Sequence, residues 1–490
     1  NTQNFTSATN SYNTAVGYNA GTSVTIGTDN TLIGGLAGDA LTTGSLNVAV
    51  GKNALGADTQ GSRSIAIGRA ALLNQNFTSA TETYNIAIGY AAGSAVTTGI
   101  KNTVIGGLAG DALTTGSFNV AVGYEALSTE DAHGNNVAVG NRALKNLNAG
   151  TAALNVGVGD DAGQSLTTGL YNTLIGGGAG DALTDADSNV AMGQNSLSGD
   201  TLGSHTTAIG QGALANQNFT TATSTLNTAV GYDAGSAVST GKASTFIGAN
   251  AGANVSTGLV NTFIGASCGI GNSSNKLTGS NNTAVGQGAL QDIEGSGDGN
   301  TCIGRDSGTA ITTGVSNVLL GYANQVSSAT VVAEIVIGPG VTGSGGSTVT
   351  IGSGAGKISN TFTSNATWSH SSDERLKTNI QDDTLGLSFI NRLNPVTYNW
   401  KPSNDIDKSL PYYKEENERD TNVTMHGLVA QEVKTALDAE GVDTFAGWGE
   451  GLDGVQTISR EMFVSPLIKS IQELSTKLDA ALARIATLEG

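Results

Sequence analysis

Few residues of this chain could act chemically, and the most suggestive run is Ser371-Ser372-Asp373-Glu374-Arg375-Leu376-Lys377. A serine hydroxyl is a poor nucleophile at neutral pH unless a neighbour takes its proton. A lysine can take it only when burial or a nearby cation leaves the amine neutral. Read on spacing alone, the same run is the ordinary start of a helix, with Ser372 as N-cap and acidic residues in the first turn. The two readings are compatible, because a nucleophile at a helix N-terminus has donors nearby for an oxyanion.

Other chemistry is harder to build. His133, His205, His370 and His426 show no pairing at metal-ligand spacing, so no metal is expected. The stretch GSGDGN at 295–300 lacks the alternating carboxylates and closing glutamate of a calcium loop and reads as a polar turn. Carboxylate pairs suited to glycan hydrolysis are not singled out by any motif. Cys268 and Cys302 lie out of phase with each other in the repeat described below, which predicts two buried free thiols. No cofactor site is expected.

These residues sit in a chain of unusual composition. Its 70 glycines are about twice the average share, while aromatic residues make up 5% and charged residues 13%. Such a chain cannot fill a thick core, but it can stack thin layers of small residues. The net charge of -18 argues against nucleic acid as a partner, and no apolar run is long enough to insert in a membrane. The chain opens at Asn1 without a basic-then-apolar leader, which suggests a fragment or a processed product, with an N-terminal attachment region expected to be missing.

Composition changes near residue 365: 30 charged residues and one proline, Pro339, precede it, and 32 charged residues with four prolines follow. Before that point a core of the type Asn-Thr-Ala-Val-Gly recurs, as NTAVG at 13–17, NTLIG at 30–34, NVAVG at 47–51 and NTVIG at 102–106. Most landmark glycines are 17 residues apart. Four rungs form a longer unit of about 72 residues, marked by QNFTSAT at 3–9 and 75–81 and QNFTTAT at 217–223.

A five-residue extended core cannot fold alone and buries its apolar side only by stacking on a copy of itself. The pattern predicts a mainly β fold, a parallel β-roll or β-solenoid of about 17-residue rungs. In it Val16, Ile33, Val50 and Ile67 form one apolar column about 4.8 Å apart. Ala15, Ala49 and Ala66 then face the other side, as a small-residue surface for close approach of another chain. The Asn before each core is either a rung-to-rung amide ladder or a turn residue bonding its own backbone. After 365, residues 385–393 read as an amphipathic helix, Val396–Trp400 as a strand, and 427–438 as apolar at helical spacing. Leu467, Ile471, Leu474, Leu478, Ala481, Ile485 and Leu488 make a coiled-coil seam.

On these residues the repeat, over roughly 10–355, resembles the head of trimeric autotransporter adhesins of the YadA type, a left-handed β-roll shared by three chains. The segments SSDERLKTNI (371–380), NPVTYNW (394–400), GLVAQEV (427–433) and LIKSIQEL (467–474) resemble, in this order, the endosialidase-type intramolecular chaperone carried by phage tailspikes and tail fibres. That resemblance implies a module that trimerises, templates the domain before it and then cuts itself off. It implies a cut between Ser371 and Ser372, with Ser372 as nucleophile and Lys377 as base, a single-turnover serine autoprotease of the Ser-Lys type.

The expected organisation is a repetitive shaft over 1–355, a linker to the cleavage site over 356–371, and a small α+β chaperone domain over 372–490 with a coiled-coil helix at 462–490. The expected protein is a homotrimeric phage tail fibre or appendage, made in the host cytoplasm and carried on the virion. Other tail or baseplate proteins would join it through the missing N-terminal region, and a host-surface glycan or protein would be its receptor. The alternatives are the head of a bacterial trimeric surface adhesin, which would call for a membrane-anchoring barrel where this chain has a coiled coil, and a tailspike acting on host polysaccharide.

Overall fold

A computed structural model describes residues 8–354, 356–362, 369–370, 372–410, 412–417 and 419–489. The chain divides into two compact units, Asn1–Ser371 and Ser372–Gly490.

The first unit is a parallel β-solenoid. Three-residue strands such as Thr14–Val16, Thr31–Ile33 and Val48–Val50 pair in register, Val16 on Ile33 and Ile33 on Val50, and so on through a 22-stranded sheet. Each strand is too short to stand alone. Its amides bond the rungs above and below, as in Gly34 N–H to Val16 C=O at 2.7 Å and Thr31 N–H to Asn47 C=O at 2.9 Å. The last two pairings reverse direction: Thr348–Ser353 runs antiparallel to Gly356–Thr361, the segment expected to open the linker, and that strand in turn to Ser369–His370.

The landmark glycines are dictated by this stacking. Gly106 sits at φ 138°, and a Cβ there would lie 2.2 Å from the carbonyl oxygen of Gly123. Only a residue without a side chain lets one rung approach the next at that point.

The predicted column of Val16, Ile33, Val50 and Ile67 is present, but on the opposite face to the one expected. Ala49 and Ala66 are fully buried, whereas Val16, Ile33 and Ile67 point outward at 58%, 38% and 37% exposure. The physical reason is the thinness of the coil. The strand shares the interior with residues from the far side of its rung, such as Val24, Leu41 and Leu113, so the inward strand position takes a small side chain or a single Leu or Phe. Ala49 and Ala66 are therefore core and not a contact surface, while Ala15, in the first described strand, is exposed.

The repeated asparagines form the ladder. Asn102 and Asn119 each donate their backbone N–H to the Oδ1 of the previous rung's Asn, both at 2.9 Å, and Asn102 Nδ2 reaches Gly116 C=O at 2.8 Å. All are buried, so these bonds satisfy backbone groups that water cannot reach. Where Ser64 interrupts the ladder, Gln75 from the QNFTSAT insertion bridges the gap. Its Nε2 donates to Ser64 Oγ at 2.8 Å and to the buried Asp58 Oδ2 at 2.6 Å, and its Oε1 accepts from Asn85 at 2.8 Å. Gln217 and Asp200 repeat the device around Thr206.

Cys268 and Cys302 are both buried and free, as the spacing predicts. Burial pushes the Cys268 thiol up to about 12 and that of Cys302 further, so neither is a reactive thiolate at neutral pH.

Among its described residues the second unit packs three α-helices, α1 (Leu387–Arg392), α2 (Ala430–Ala439) and α3 (Val464–Glu489), with two antiparallel strand pairs. Its core is Leu385, Phe389, Val433, Ala436, Leu437 and Phe463. Phe389 stacks on Phe463 with ring centroids 6.2 Å apart, and Phe445 meets Phe463 edge-on at 5.2 Å. Glu473 of α3 accepts the N–H of Leu387, which fixes the long helix to α1 at 2.9 Å. On either side of that anchor the helix carries its seam outward: Ile471, Leu474, Leu478 and Ile485 are 66%, 55%, 57% and 48% exposed.

Candidate functional site

The run at 372–377 folds as a single tight turn. Asp373, and not Ser372, is the cap of the 3-10 turn Glu374–Leu376: its Oδ1 accepts the N–H of Arg375 at 2.9 Å. The Arg375 side chain grips the same carboxylate through Nε at 3.0 Å and Nη2 at 2.8 Å. This fork and the backbone bond hold the Asp373 carboxyl below the usual carboxylate range. The capping role expected for Ser372 falls to its neighbour because aspartate can cap the turn and pair Arg375 at once.

Ser372 is thereby left free for another partner. The turn carries Lys377 back beside it, and Lys377 Nζ lies 2.8 Å from Ser372 Oγ. The backbone N–H of Lys377 closes the turn on Glu374 C=O at 3.0 Å. Both side chains are exposed in the single chain. An exposed ammonium donates to the hydroxyl; a neutral amine at the same distance accepts the hydroxyl proton. Desolvation is the change that would convert the first state into the second. Ser371, the other residue of the expected cut, lies outside the described residues.

The remaining titratable clusters are structural. Glu130, Asp131 and His133 bring donor atoms within 4.8 Å of one another, a grouping that histidine spacing alone does not reveal. Yet Glu130 is buried with its oxygens committed to the backbone N–H groups of His133 and Ala149, and His133 Nδ1 faces the same carboxylate at 3.4 Å. On the shaft, Lys145 pairs with Glu125 at 2.5 Å and Arg142 with Asp161 at 2.7 Å. Burial pushes the Asp111 and Asp181 carboxyls above their ordinary range. One oxygen of each, Oδ1, is buried without a hydrogen-bond partner.

Among the described residues of the second unit, three cavities open, of which two carry aromatic side chains. One of about 400 Å³ is apolar, lined by Ile390, Leu393, Leu428, Ile458, Phe463 and Leu467. The other, of about 650 Å³, contains Trp400 and Tyr412 flanking Arg419, whose guanidinium lies 5.0 Å and 5.6 Å from their ring centres.

The geometry defines a β-solenoid followed by a small domain that opens on a serine–lysine pair and closes on a long helix with an uncovered apolar seam. Residues 372–442 match the family model described as chaperone of endosialidase, about one seventh of the chain. The matched segment begins at Ser372 itself. A β-solenoid that ends in such a domain fits a tailspike or tail-fibre type of protein with a C-terminal intramolecular chaperone. No curated protein matches the chain. Among the described residues, no helix is long and apolar enough to cross a membrane.

Proposed function

We propose that this protein is a homotrimeric phage tail fibre or appendage whose C-terminal domain assembles the trimer and then cuts the chain between Ser371 and Ser372. The observation that carries the reading is the 2.8 Å approach of Lys377 Nζ to Ser372 Oγ at the first residue of the chaperone match. Residues 1–355 form the shaft, 356–371 lead to the cut, and 372–490 are the chaperone, with three copies of the terminal helix joined along the seam. The protein is carried on the virion tail, where the shaft serves host attachment and upstream residues join other tail proteins.

The chemistry follows from Ser372 lying immediately after the scissile bond. Its Oγ attacks the carbonyl carbon of Ser371 through a five-membered ring while neutral Lys377 takes the hydroxyl proton. Collapse breaks the Ser371–Ser372 C–N bond, the departing amine takes the proton from Lys377, and an ester joins the Ser371 acyl group to Ser372 Oγ. Water then hydrolyses the ester, which leaves the Ser371 carboxylate on the shaft and restores the Ser372 hydroxyl. Lys377 becomes neutral only when association of three chains covers it, so cutting reports completed assembly.

The mass spectrum of the full chain after expression tests this. The expected result is two products, one ending at Ser371 and one beginning at Ser372. The intact mass alone after prolonged incubation would contradict it.

A further inference from the structure

We infer that Leu376 and Ile380 of one copy seat in the apolar cavity of a neighbouring copy, and that this contact is what covers Lys377. The inference rests on the reading that assembly licenses the cut, and it names the surface through which assembly does so.

That reading needs Lys377 to leave water when chains associate, and the seam of α3 does not contain it. Another contact has to reach the lysine. Every residue from 372 to 384 is exposed in the single chain. The segment carries two large apolar side chains, Leu376 and Ile380, 72% and 63% exposed, one on each side of Lys377. Asn379, at φ 52°, turns the chain between them. Apolar surface of this kind is what an association buries with gain.

The receiving surface is the cavity of about 400 Å³ that includes Phe463 and Leu467. Leu467 is also the first residue of the seam and is 45% exposed, so the cavity opens beside the line along which copies join. Its titratable wall residues are His426 and Arg460, both exposed. Arg460 lies across Gly427, where an added Cβ would meet its Nη2 at 3.0 Å. Arg375 and Arg392 are held by Asp373 and Glu440, but among the described residues no carboxylate holds Arg460. The incoming segment supplies one. Glu374, two residues before Leu376, is exposed, and among the described residues its carboxylate has no cation.

The tether and the chemistry name the occupant. The chain between Leu376 and the buried Leu385 reaches at most about 30 Å, while helices packed along a seam lie about 8–10 Å apart. The segment therefore spans the gap between copies. In its own chain, no residue from 372 to 384 lines the cavity. A foreign peptide in the same place would leave Lys377 in water. With the neighbour's cavity filled by Leu376 and Ile380, Lys377 lies against apolar walls, and desolvation there favours the neutral amine that Ser372 requires.

The test uses full chains in two forms. One carries Leu376→Gln with Ile380→Gln, which alters the segment and keeps the cavity. The other carries Arg460→Glu, which alters the cavity and keeps the segment. All three residues are exposed, and analytical ultracentrifugation confirms that each form is trimeric. Expressed alone, each form is expected to cut roughly tenfold more slowly than the unaltered chain, or slower still, because the apolar contact is lost. Co-expressed, the Arg460→Glu chain is expected to be cut again, since its segment reaches the intact cavity of the other form. The two C-terminal fragments differ in mass, so intact-mass spectrometry tells which chain was cut. Arg460→Glu combined with Glu374→Arg in one chain should also recover the rate. Trimers of the first form that cut at the unaltered rate overturn the inference. So does a mixture in which the Arg460→Glu chain is not rescued, which would place the contact within one chain. An unaltered chain that stays whole overturns the underlying reading and the inference together.

Discussion

Ser372→Ala is expected to leave the chain whole, with loss of cleavage by about a thousandfold or more, because the hydroxyl that forms the ester is gone. Lys377→Ala should fail in the same way, and the informative variant is Lys377→Arg. Arginine keeps the positive charge and can still donate to Ser372 Oγ, but it does not give up its proton under these conditions. If Lys377 acts as the base, Lys377→Arg yields only intact chain. If the 2.8 Å bond merely orients Ser372, the arginine variant retains substantial cleavage. Asp373→Ala separates a third role: it removes the cap and the Arg375 fork, loosens the turn that returns Lys377, and slows cleavage without abolishing it. Intact-mass spectrometry over time reads all four.

Gly106→Ala is expected to destabilise the shaft by roughly 4 kcal/mol or more, in the range reserved for specific steric failures. The added Cβ meets the carbonyl oxygen of Gly123 at 2.2 Å, and backbone cannot swing aside as a flexible side chain can. The φ of 138° adds strain for any residue with a side chain. Because each rung rests on its neighbours, the damage is local in origin but breaks the stack. Limited proteolysis should cut near the altered rung, and chemical denaturation should show an early transition. Gly35→Ala is the control: nothing lies within 4 Å of its added carbon, and its stability should change by less than about 0.5 kcal/mol.

The rung period and its register were legible in the sequence because glycine recurs where no side chain fits. The orientation of the strand was not. Ala49 and Val50 are both apolar, so alternation alone leaves two choices, and only the depth of the coil, set by residues such as Val24 and Leu41 on its far side, decides that the smaller one goes in. The asparagine ladder was one of two readings; the burial of the column and the 17-residue offset of its bonds select it. The bridging glutamine was missed, although its signal was present: Asp58 precedes Gln75, and Asp200 precedes Gln217, by one rung in each case. In the C-terminal unit, Ser372 and Asp373 are adjacent residues of capping type, and the sequence could not say that the aspartate would take the turn and free the serine.

The central claim is that cutting reports assembly, and breaking the seam of α3 tests it most directly. Ile471→Asp with Leu478→Asp places charge at two positions that are 66% and 57% exposed in the single chain, so the fold of each copy has no reason to fail. Association along the seam does fail, because three helices would have to bury those carboxylates without partners. The full chain carrying both substitutions, followed by intact-mass spectrometry, should remain uncut while Lys377 stays in water. Appearance of the shaft product ending at Ser371 at the unaltered chain's rate, from a species that sediments as a monomer, would contradict the account.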